Sequence, residues 1–125
     1  MAIRALELAG AAANYNLSIV LVNDKQIAAL NARFHQVHGP TDVLSFDYGG
    51  GEGELVVSVE RVRAQARRFR KTPARELALY VIHGILHLHG HDDRTPRDCR
   101  RMRAVERRFV NRLDREHMLQ GLIVQ

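Results

Sequence analysis

With 125 residues, 46% of them hydrophobic and 26% charged, the chain has the size and composition of one compact globular domain, spanning residues 1–125, which excludes multidomain, disordered and collagen-like proteins. Its net charge of +5 is unevenly spread: residues 1–60 carry three basic and seven acidic side chains, residues 61–125 sixteen basic and seven acidic. All but two of the 19 basic residues are Arg, whose planar guanidinium grips phosphate bidentately, so either a polyanionic partner or a set of solvated helix faces is implied.

Ala2 to about Tyr15 is rich in Ala and Leu, with Ile3, Leu6 and Ala9 or Ala13 on one side, and reads as an amphipathic helix. Arg4 and Glu7 interrupt the apolar stretch that a secretory signal would need, so no signal peptide is expected. Leu17–Val22 (LSIVLV) has the β-branched, apolar pattern of a strand covered on both faces. Asn23 with Gln26 forms a capping box ahead of Ile27, Leu30 and Phe34, and that helix stops before Gly39-Pro40. Thr41–Tyr48 and Glu54–Glu60 read as two strands joined through a glycine-rich turn, most economically as a hairpin.

Arg61–Lys71 reads as a basic helix. Thr72-Pro73 starts the next, which runs to about His89 and ends at Gly90. Thr95-Pro96 opens the last helix, with Cys99, Met102, Val105, Phe109, Val110 and Leu113 as its apolar stripe and nine Arg between Arg94 and Arg115. Glu106 lies on that stripe and is expected to pair with a buried Arg or a backbone donor. Cys99 is the only cysteine, which excludes an intramolecular disulfide and fits a reducing compartment. No apolar run reaches the length of a membrane span, and a cytoplasmic location is expected. The order of elements predicts an α+β fold: a small mixed β-sheet packed against about five helices, with a metal site at the end of a core helix.

Chemistry concentrates in HGILHLHGHDD, residues 83–93. On a helix, His83 and His87 lie four positions and about 40° apart, so both imidazoles reach one ion. Gly90 then lets the backbone double back toward them. Asp93 is the candidate third ligand, with His91 and Asp92 as competitors. His89 is two positions from His87, points elsewhere, and reads as a surface or supporting residue. Two imidazoles and one carboxylate suit zinc with one position open to water, an arrangement for chemistry and not for structure alone. The spacing is also that of zinc peptidases, but Gly84 occupies the place where they carry their general-base Glu.

The segment RELALYVIHGILHLHGHDD closely resembles the signature of the YbeY family, the metal-dependent rRNA-maturation endoribonucleases of bacteria. Leu30-Asn31, PTDVLSF (Pro40–Phe46), the Gly53–Ser58 segment and the pair Met102 and Glu106 follow in the family's order. This resemblance implies an α+β fold with a central mixed sheet, a zinc-type ion held at His83, His87 and position 93, and cleavage of single-stranded RNA in small-subunit rRNA 3′-end processing and ribosome quality control. RNA and the small ribosomal subunit, with its proteins or assembly factors, are the implied partners. Three departures stand out. Asp93 replaces the family's third His, which adds negative charge and weakens the ion as a Lewis acid. His35 stands where the family carries an Arg, and is a candidate for contact with phosphate or for proton donation. The chain begins at the family's first helix, without its usual first strand. Against the endoribonuclease stands a second expectation, a non-catalytic RNA-binding assembly factor with a structural metal.

Overall fold

The computed structural model describes residues 1–35, 43–91 and 94–120, the side chain of His35 excepted. The order is α1 (Ala2–Leu8), β1 (Asn16–Val22), α2 (Asp24–His35), β2 (Val43–Gly49), β3 (Glu52–Ser58), α3 (Val59–Arg68), α4 (Pro73–Leu88) and α5 (Pro96–Arg115). This is the expected α+β arrangement, with five helices and three strands among the described residues. Thr41 and the Gly39-Pro40 stop of the second helix lie outside them.

The sheet order is β1-β3-β2. β1 runs parallel to β3, from Asn16 opposite Glu52 to Val22 opposite Ser58, and β2 runs antiparallel to it, with Ser45 opposite Leu55 and an irregularity at Asp47/Gly49. The expected hairpin is therefore β2-β3, and the sheet is mixed. Alternation along the central strand feeds two cores: Leu55 and Val57 join α4, α5, α1 and Val62 of α3, while Val56 faces Ile27 of α2 together with Leu44.

Three expectations about the strands and helices change. β1 is an edge strand and is not covered on both faces: Val20 is 40% and Leu21 46% exposed. A run of apolar residues carries no information about which face lacks a neighbour. The first helix ends at Leu8 and not near Tyr15, since Gly10 adopts φ +79 after the Ala9 cap and turns the chain toward β1. The third strand also ends earlier than Glu60. The Ser58 side chain accepts from the Arg61 amide and caps α3, so Val59 and Glu60 are helical.

α4 is the buried centre of the molecule. Thr72 caps it by accepting from the Arg75 amide, with Pro73 in the first turn, and Leu77, Ala78, Tyr80, Val81, Ile82, Ile85 and Leu86 are buried. Its C-terminal end follows the glycine prediction: Gly90 has φ +89, its amide donates to the His87 carbonyl, and the His91 amide reaches back to the Leu86 carbonyl. At Gly84 the helix approaches the sheet so closely that a Cβ would sit 2.5 Å from Leu55 Cδ2 and 3.2 Å from Ser45 Oγ. The Ser45 hydroxyl donates to the Gly84 carbonyl across that gap.

Candidate metal centre

His83 and His87 occupy the last turns of α4, with His83 meeting α5, and both are partly buried. Their Nε2 atoms face each other at 3.0 Å, with ring centroids 4.6 Å apart and the planes at 72°. Two imidazole nitrogens bound to one tetrahedral zinc stand about 3.4 Å apart, so this pair needs only a small opening to share an ion. The helical spacing thus brings the two imidazole nitrogens to one point.

Glu106 of α5 supplies the feature that sequence reasoning placed wrongly. Among the described residues its carboxylate meets no Arg or backbone donor; it is hydrogen-bonded to His83 Nδ1. The Glu106 side chain is only 10% exposed, wedged between Met102 and Val110 on the buried face of α5. An ionised carboxylate only accepts, so His83 Nδ1 must donate, which leaves its Nε2 lone pair directed at His87. A carboxylate behind a histidine in this way fixes the tautomer and ring orientation that ligation requires. The signal available in the sequence was an acid set within an apolar helical stripe, but the stripe does not say what faces it.

His89 is tied elsewhere: its Nδ1 donates to the Ile85 carbonyl at 2.8 Å, and its ring lies 5.0 Å from that of Tyr15. His91 is exposed just beyond the helix. His35 is the last residue of α2. Asp92 and Asp93 lie outside the described residues, and among the described residues no group of three His, Cys, Asp or Glu side chains gathers for an ion. The donor chemistry of the His83–His87 pair fits a divalent metal.

The family model described as Endoribonuclease YbeY matches residues 2–114. The chain belongs to the YbeY family. Among curated relatives named Endoribonuclease YbeY, it is 41% identical to that of Symbiobacterium thermophilum over 116 residues, covering 81% of this chain and 74% of the relative. It is 38% identical to that of Myxococcus xanthus over 114 residues, or 84% of this chain, but spans only 37% of that relative's length. The solution structure of TM1509 from Thermotoga maritima superposes with a TM-score of 0.66 at 29% identity, covering 94% of this chain and 81% of that one. Within the YbeY family frame, Gly84 also separates this site from the zinc peptidases physically. The position meets Leu55 of the sheet, where a glutamate side chain has no room.

Proposed function

We propose that this YbeY-family chain is a metal-dependent endoribonuclease that cleaves single-stranded RNA in small-subunit rRNA 3′-end maturation and ribosome quality control, in the cytoplasm. The observation that carries this reading is the pair of facing Nε2 atoms of His83 and His87, oriented from behind by Glu106, in a chain matched by the family model over residues 2–114. His83, His87 and Asp93 would hold the ion, with zinc the best match to two imidazoles and a carboxylate. When bound, such an ion supplies Lewis acidity and lowers the pKa of a coordinated water to near neutrality.

The protein's own contributions are positional. Glu106 keeps His83 in the ligating tautomer, and the buried face of α4 dries one side of the site. Arg side chains of the basic α3 hold the backbone of the strand being cut through phosphate contacts. His35, standing in place of the family's Arg, donates to a phosphate oxygen. Partners are rRNA and the small ribosomal subunit with its proteins or assembly factors. No helix among the described residues is long and apolar enough to cross a membrane.

Metal content measured on protein purified without chelator should approach one ion per chain, and RNA cleavage should disappear on chelation and in His87→Ala. Cleavage that survives both treatments would overturn the reading. Stoichiometric metal with no cleavage under any divalent ion would instead favour the assembly-factor alternative, which the carboxylate at position 93 motivates.

A further inference from the structure

α5 has two faces with different duties. Met102, Glu106, Val110 and Leu113 are buried toward α4, and Glu106 serves the metal-ligand pair. At about 100° per residue, Arg97, Arg101, Arg108 and Arg115 fall within about 40° of one another on the opposite side. All four are exposed. The row spans about 27 Å of straight helix, from the first turn to the last. Arg100 and Arg112 flank it on either side.

Among the described residues no ion pair neutralises this row, and Asp98 in the first turn of the same helix makes none with it. Among the described residues, Asp114 turns to Arg75 at 3.6 Å, and Glu116 is taken by Arg4 and Arg112. Instead, Arg97 faces Arg101 at like-charge four-residue spacing, which opposes helix formation. A sequence serving only solubility would alternate signs here. A straight row of guanidinium groups with no ion pair among the described residues matches a rigid, densely charged phosphate backbone.

We propose that the outer face of α5 is a docking surface for double-helical RNA, separate from the cleavage site. A helix diameter of about 10 Å stands between the row and the His83–His87 pair, so a strand in the cleavage site does not lie on the row. The row holds a stem of a structured RNA while a single-stranded stretch of the same molecule reaches the metal ligands. The choice of RNA as the polyanion rests on the proposed function, but docking is measurable without any cleavage.

The test compares wild type with the combined variant Arg97→Gln, Arg101→Gln, Arg108→Gln and Arg115→Gln on two probes: an RNA stem-loop whose stem is long enough to run along the row, and a short single-stranded oligonucleotide. Thermal melting first establishes that the variant folds; removing like-charge pairs should leave it at least as stable. Stem-loop affinity should fall about tenfold or more near physiological salt, with the slope of log affinity against log salt reduced by about 3–4, the loss of about 0.9 per phosphate contact. Oligonucleotide binding and cleavage should stay within about twofold. Unchanged stem-loop affinity and slope would overturn the proposal. Equal losses on both probes would also overturn it, by placing the row in the cleavage site. A wild type that binds the stem-loop steeply with salt yet cuts neither probe would reject the nuclease reading while sustaining the docking surface.

Discussion

Glu106 and His83 form the contact that ties α5 to the candidate ligand pair. If the carboxylate sets the ligating tautomer, Glu106→Ala leaves His83 Nδ1 without its acceptor and should weaken metal binding about 10–100-fold. Glu106→Gln keeps an acceptor oxygen without the charge and should fall between. Competition against a chromophoric chelator measures the affinity, and nitrogen chemical shifts of the metal-free protein report which ring nitrogen carries the proton. Identical affinity and tautomer in Glu106→Ala would reduce the contact to packing. Gly84 is a residue of another kind, placed by space and not by chemistry. Leu55, its nearest neighbour, is fully buried and cannot swing aside. Overpacking there costs about 1–3 kcal/mol, against about 1 kcal/mol gained from replacing a helical glycine with alanine. Gly84→Ala should therefore lower stability by about 1 kcal/mol in denaturant titration, and Gly84→Val by clearly more.

At the scale of elements, the sequence announces those whose signals are local. Thr72-Pro73 and Gly90 bracket α4 because a cap, a proline in the first turn and a glycine at positive φ act within a few residues. The same locality made the His83–His87 pair readable, since four-residue spacing on a helix fixes the distance between the imidazoles. What depended on other elements was harder to read. The exposure of β1 follows from its place at the sheet edge, and LSIVLV reads alike at an edge or in the centre. The partner of Glu106 follows from how α5 crosses α4, which the apolar stripe requires but does not orient. Val59 and Glu60 read as strand because SVE continues the β-branched run, while the Ser58 hydroxyl at the strand's end also starts α3.

For the molecule as a whole, the charge division apparent in the composition becomes spatial. The acidic first half supplies the three strands and α2, and the basic half supplies the helices that carry both the candidate ligands and the arginine row. One small network ties the start of the described fold to its end. The Arg4 guanidinium donates to both carboxylate oxygens of Glu116, at 2.8 and 3.2 Å, and Arg112 adds a further bond at 2.5 Å. Hydrogen bonds from Arg4 first, and then from Arg112, hold the Glu116 carboxyl down to about 2, from an ordinary value of 4.5. A lowered carboxylate pKa stabilises the fold above the unfolded value, and that contribution is lost as pH falls through the folded one. The difference in melting temperature between wild type and Glu116→Gln should thus be full above pH of about 5 and shrink toward zero as the pH approaches about 2. Added salt should narrow it at neutral pH, because the groups are only partly buried and remain open to screening. A difference that stays constant from neutral to acid pH would mean that Glu116 joins α1 to α5 by shape alone, with the charge contributing nothing.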